Sequence, residues 1–311
     1  MDAITVLDVL GTQSDQILHN LTTNDVKRLA VGAGCETFIT DVRGKMLGHV
    51  VAFRTDDGYR LIGPAGQSES LAAHADRYTI REDATPEARD DDFVAIVLPH
   101  ASGEVLARRM DLPSDRAGAV DEAIHLAVIE SLGVTAYQVP WLGPGSPVLL
   151  VPTGDVDTVA AKLTESGLDA NDESAFHGQR VLAGFPWYGV DLSDKNLPQE
   201  ADRDSQAISF TKGCYLGQET VARLDALGQV QKKLVLWSID GLVPGAATEV
   251  AAGEKTVGRL TSVAATSDSG AVAIGIARRS HFEPGAIATG IDSKSGAAFE
   301  AVVIDSAAMA D

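Results

Sequence analysis

Ten consecutive residues, Phe210-Thr211-Lys212-Gly213-Cys214-Tyr215-Leu216-Gly217-Gln218-Glu219, bring together a thiol, an amine, a carboxylate and two glycines. The thiolate is the reactive form of cysteine, and a cation such as Lys212 two residues before Cys214 could stabilise it. The glycines permit a tight turn or a close approach of backbone to a ligand. Gln218 and Glu219 stand where a helix over Thr220–Leu227 would begin, and the helix dipole favours a carboxylate there. By residue type alone Cys214 reads equally well as a reactive thiol or as a small buried residue.

Other chemistries find little support. No GxGxxG follows a strand, and there is neither a GxxxxGK[ST] phosphate loop nor a GxSxG nucleophile elbow. The seven histidines lack HExxH or any other ligand spacing, and His125 and His177 fit packing or surface roles. The cysteines, Cys35 and Cys214, form no CxxC or CxxxC pair, which argues against an intrinsic zinc or iron–sulfur site. So few cysteines in a chain of this size suit a reduced cytosolic protein.

The elements that must position these residues follow from hydrophobic period and turn chemistry. Ser14-Asp15 caps an amphipathic helix, and strands Glu36–Val42 and Met46–Arg54 form a hairpin across Arg43-Gly44-Lys45. A strand at Tyr59–Ile62 leads to a helix over Gln67–Tyr78. The acidic run Arg89–Asp92 is a charged turn before a strand at Phe93–Leu98. A helix over Val120–Ser131 precedes strands at Thr135–Val139 and Pro147–Val151, with Gly143–Pro147 as a loop. Then come a helix capped by Asp155 and another over Glu173–Ala183. Irregular mixing of strands and helices indicates α+β, not a doubly wound sheet. From Gln231 onward, evenly spaced short strands between Gly, Pro and Asp turns predict a small antiparallel barrel or sandwich. The expected organisation is a body over residues 1–229 and a β-barrel over residues 230–311.

Composition bounds the setting. The 311 residues are 45% hydrophobic, enough for two or three packed units. No window approaches a membrane span, and the N-terminal run lacks the features of a signal peptide, so the expected location is the cytoplasm. With 44 acidic against 25 basic residues the net charge is −19, which repels polyanions and disfavours broad nucleic-acid binding. Acid spread along the whole chain also matches the solvated surface of a salt-adapted protein, where salt screens the repulsion. The adjacent Lys232 and Lys233 read as a solvated strand edge more readily than as a tRNA patch. No coiled-coil seam is visible, so a monomer is expected.

Residues 212–219, KGCYLGQE, match the KGC[FY]xGQE signature of the YgfZ proteins at every fixed position, and the chain resembles that family. Gly184–Asp191 with Leu197-Pro198-Gln199-Glu200, Leu21–Val26 with Asp41–Lys45, and Val257–Ser262 resemble segments that the family shares with glycine-cleavage T-proteins. The resemblance implies an α+β folate-binding body of two related subdomains, closed by a C-terminal barrel, with tetrahydrofolate in a central hole. It places Glu200 where a carboxylate accepts paired N–H bonds from the pterin edge, and Tyr188 beside the ring, with Gln218 and Glu219 in the same cofactor-binding set. The catalytic pair it implies is Cys214 with Lys212.

T-proteins carry a catalytic aspartate after the glycine turn. The corresponding stretch here, Gly44–Val50, holds no carboxylate, and His49 is the substitute to be considered. The expected function is therefore a tetrahydrofolate-binding accessory protein that sustains iron–sulfur enzymes, tRNA-modifying ones included, with iron–sulfur enzymes or assembly proteins as partners. The alternative is an aminomethyltransferase or demethylase that moves a one-carbon unit from an amine to tetrahydrofolate. A third reading is an interaction scaffold with a vestigial pocket.

Overall fold

The computed structural model describes residues 4–103, 124–228 and 230–305. The body is built on two antiparallel sheets. The first contains β1 (Ile4–Leu10), β2 (Gly34–Thr40), β3 (Met46–Arg54), β4 (Gly58–Pro64) and β5 (Thr85–Ala88), in the order β2-β3-β4-β1-β5. The second contains β6 (Phe93–Val97), β7 (Leu126–Ile129), β8 (Val134–Val139) and β9 (Ser146–Pro152), in the order β6-β9-β8-β7.

Side-chain alternation with a period of two explains how the sheets stack. On β3, Val51 and Phe53 enter the core between the sheets, while Val50 and Ala52 face α1 (Ser14–Leu21) and α2 (Ser68–Tyr78). On β9, Val148 and Leu150 enter the same central core, while Leu149 and Val151 pack on α3 (Val156–Glu165). Both strands are thus buried on both faces, which is why each reads as a nearly continuous apolar run. The result is a helix–sheet–sheet–helix stack.

Two expectations need correction. The helix predicted over Val120–Ser131 is not found: residues 120–123 lie outside the described set, and Leu126–Ile129 is edge strand β7, paired with β8. Its apolar residues serve a sheet, with Ile129 buried and Val128 exposed, so tertiary pairing overrode the helical pattern. Ser14 does not cap α1; Gln13 occupies that position without a side-chain bond, and Ser14 is buried. Asp155 does precede α3, again without a side-chain bond. The acidic turn before β6 is partly structural, since Asp90 accepts hydrogen bonds from the Val6 amide and the Ser68 hydroxyl.

Helices α4 (Glu173–Leu182), α5 (Asp204–Ala207) and α6 (Gln218–Leu227) follow. The chain then forms a closed six-stranded antiparallel barrel. Its strands are β10 (Lys232–Ile239), β11 (Glu249–Ala252), β12 (Lys255–Ala265), β13 (Ala271–Arg278), β14 (Ile287–Ile291) and β15 (Ala298–Ile304). Trp237 fills its interior with Leu260, Phe299 and Val303. The body–barrel junction placed near residue 229 falls outside the described residues. Among the described residues, no helix is long and apolar enough to cross a membrane.

A separate apolar cluster joins barrel to body, with Leu234, Leu236 and Ile274 meeting Phe38, Met46, Val181 and Tyr215. Beside it lies a buried ion pair. The Arg180 guanidinium on α4 donates to Asp191 Oδ2 at 2.7 Å and to Ser262 Oγ at 2.8 Å. Asp191 Oδ1 accepts from both Thr261 and Ser262 on β12. The Gly184–Asp191 and Val257–Ser262 segments, distant in sequence, therefore meet at one charge pair between body and barrel.

Candidate functional site

Residues 212–219 form a turn fastened to the body on both sides of the cysteine. Lys212 is buried, and its Nζ donates to the carbonyl oxygens of His19, Thr22 and Asn24 at 2.8, 2.7 and 2.8 Å. Its ammonium also lies 5.0 Å above the Tyr215 ring. Burial lowers the Lys212 pKa to about 8, although Asp25 pulls the other way. On the far side, the Leu216 amide donates to Asn20 O at 2.8 Å, and Thr40 Oγ1 donates to Leu216 O at 2.6 Å.

Gly217 has φ +82° and precedes α6. A Cβ there would lie 2.5 Å from the Asp41 carbonyl oxygen and 2.6 Å from Gly44 Cα, so this glycine is required both by conformation and by space. Gly213 differs: a Cβ would meet only His19 Nε2, at 3.5 Å. Between these anchors Cys214 is exposed. Gln218 and Glu219 form the first turn of α6 as expected, the former half-buried and the latter exposed. Lys212 is thus engaged with backbone carbonyls of residues 19–24, and its charge opposes the burial that pushes the Cys35 pKa up to about 12.

Glu200 lies in a short 3-10 turn, Pro198–Ala201, packed on β10. It is buried. Its Oε2 accepts from Asn196 Nδ2 at 2.8 Å and stands 3.5 Å from the Lys232 ammonium of the barrel. Among the described residues Oε1 has no hydrogen-bond partner. Tyr188 is half-buried against the body–barrel cluster, and burial together with Asp194 raises its pKa to about 12. Lys233 pairs with Asp202 at 2.8 Å. The adjacent lysines therefore tie barrel to body, each to its own carboxylate.

Three polar side chains come together that sequence reading did not assemble. Glu36 on β2 accepts from His49 Nε2 at 2.7 Å and takes both Nε and Nη2 of Arg203 on its two oxygens. Burial alone would raise the Glu36 pKa, but Arg203 and the hydrogen bonds outweigh it and hold the carboxyl at about 2. The His49 ring stacks on Phe185 with centroids 5.3 Å apart, and the Arg203 guanidinium lies 5.0 Å from the centroid of the Phe185 ring. Arg203 also lines a cleft of about 300 Å³ between body and barrel, with Gln206, Lys233, Leu236 and Phe282. Neither Glu200, Tyr188 nor Cys214 lines that cleft.

No family model matches the chain. Its relatives do include proteins called tRNA-modifying protein YgfZ. The one from Klebsiella pneumoniae is 27% identical over 245 residues, covering 78% of this chain and 70% of its own length. That from Escherichia fergusonii is 25% identical over 245 residues, covering 78% and 71%. That from Colwellia psychrerythraea is 24% identical over 235 residues, covering 73% and 67%. The resemblance to the YgfZ proteins is borne out. A glycine cleavage system aminomethyltransferase T from Bartonella henselae superposes with a TM-score of 0.82 over 97% of this chain and 83% of its own, at 17% identity. The fold is therefore that of the T-protein, as the resemblance implies, with the α+β body and the closed barrel both present.

The resemblance had pointed to His49 without its setting. Glu36 and Arg203 are 167 residues apart in sequence, and no spacing rule connects them. Arg180 carried one faint signal, an arginine on the apolar side of a helix that also buries Phe176 and Val181. Such a residue needs a buried carboxylate, and Asp191 supplies it.

Proposed function

We propose that this chain is a tetrahydrofolate-binding accessory protein for tRNA modification, and that it sustains the iron–sulfur enzymes of that process through the Cys214 thiol. The observation that carries the reading is the mounting of Cys214. Lys212 and Leu216 tether its turn on either side, Tyr215 is buried, and the thiol is left exposed. A purely structural cysteine would be packed inside. Relatives named for tRNA modification favour the same direction.

The residues present fit a pterin. Glu200, at the body–barrel junction, has one carboxylate oxygen without a hydrogen-bond partner among the described residues, and Tyr188 lies in the same apolar cluster as that junction. Bound tetrahydrofolate would supply a one-carbon carrier or a reduced pterin near the junction, while Glu200 would hold its N–H edge.

The aminomethyltransferase alternative rests on the shared fold. Against it, His49 is 1% exposed and its Nε2 is committed to Glu36. A ring so held is poorly placed to stand in for a substrate-facing aspartate. In a strain lacking this gene, the chain should restore activity of a tRNA-methylthiolating iron–sulfur enzyme, and Cys214→Ala should not. Full rescue by Cys214→Ala would remove the thiol role. Production of methylene-tetrahydrofolate from glycine and lipoyl carrier protein would favour the transferase.

A further inference from the structure

The surroundings of Glu200 are asymmetric, and a pterin edge is asymmetric too. Oε2 holds the Asn196 amide and faces Lys232 at 3.5 Å, whereas Oε1 has no partner among the described residues. A 2-amino-4-oxo pyrimidine edge presents an amino N–H, a ring N–H and a carbonyl oxygen in that order. A carboxylate accepts the two N–H groups, and the carbonyl then requires a donor beside the second oxygen. Lys232 supplies an ammonium at that place. Its side chain is 45% exposed, so its flexible stem can reach a ligand without leaving Glu200. Lys233 cannot do the same, because it is bonded to Asp202 and lies over Phe282.

We propose that Lys232 is a specificity-determining residue of the pterin site. It donates to the 4-oxo group and orients the ring with its amino group over Glu200 Oε1 and its oxo group beside Oε2. The inference rests on the reading that Glu200 receives a pterin, and it gives the barrel a direct part in recognition. The reversed orientation sets the amino group against the ammonium, donor against donor. A 4-amino analogue creates that conflict in the favoured orientation; its ring N3 also loses its hydrogen, a change felt at Oε2 with or without Lys232, so only the part of the preference that Lys232→Met removes belongs to the lysine.

The test uses the full chain and tetrahydropterins without a glutamyl tail, so that attraction of Lys232 to tail carboxylates does not contribute. Equilibrium titrations under anaerobic conditions compare the 4-oxo compound with its 4-amino counterpart, for the unaltered protein and for Lys232→Met. The unaltered protein should prefer the 4-oxo compound, and that preference should shrink about tenfold in Lys232→Met, the loss expected for one charge-assisted hydrogen bond. A merely structural role would weaken both ligands together and leave the ratio unchanged. An unchanged ratio therefore overturns this inference alone. No saturable binding of either pterin, or of tetrahydrofolate, to the unaltered protein overturns the inference and the folate reading together.

Discussion

At the scale of single residues, several charges of the described interior are each met by more than one partner. Lys212 is the clearest case. Its ammonium satisfies three backbone carbonyls at and just beyond the end of α1, so Lys212→Met removes a charge and leaves those acceptors without that donor. The expected cost is about 3 kcal/mol of stability, read as a lower denaturant midpoint. Loosening should also be local, with faster proteolysis near Gly213 than elsewhere. Glu36 gives a prediction in pH. Its folded pKa, about 2, lies below the ordinary glutamate value of 4.5. The folded state therefore binds the proton less well, and this stabilisation is present above about pH 4.5 and disappears as pH falls toward 2. Glu36→Gln should remove that part of the acid slope. It should also lower stability at neutral pH by about 3 kcal/mol or more, because Arg203 loses its partner. Urea denaturation from pH 2 to 7 checks both effects.

At the scale of elements, the motif around Cys214 makes opposite demands on its two glycines. Gly217→Ala combines a positive φ with contact to the backbone of Asp41 and Gly44, so it should cost about 2 kcal/mol or more. Gly213→Ala meets open space apart from His19 and should shift stability by less than about 0.5 kcal/mol. Thermal melts of the two variants side by side would show the contrast. Much of this level was legible in the sequence. The β2–β3 hairpin, α2, the helix after Gln218 and most barrel strands follow from period and turn residues. The exceptions share a cause. Strand β7 borrowed its identity from β8, and β1 owes its burial to layers on both faces, so neither carries a clean alternating pattern. The KGCYLGQE string made Cys214 readable as a candidate. The anchoring of Lys212 on residues 19–24 was not readable, because it depends on contacts about 190 residues apart in sequence.

At the scale of the whole molecule, two features act together. The net charge of −19 repels itself in the compact state. Added salt screens that repulsion, so the melting temperature should rise between about 0.1 M and 1 M potassium chloride, where the screening length falls from about 10 Å to about 3 Å. A flat or falling curve would speak against salt adaptation. The second feature is the weld between body and barrel. Arg180 and Asp191 are both almost fully buried, and their partners Thr261 and Ser262 belong to the barrel. Asp191→Asn should therefore cost about 3–5 kcal/mol. It should also split unfolding into two transitions, visible by calorimetry, as barrel and body lose their shared lock.

The functional account turns on whether this junction binds folate through Glu200. Equilibrium titration of the full chain with tetrahydrofolate, in buffer with enough salt to screen its charge, measures that directly. The account predicts saturable binding that weakens at least about tenfold in Glu200→Ala, with the folded state retained, as expected when a buried charged acceptor is removed. Absence of saturable binding, or equal binding by Glu200→Ala, would contradict it.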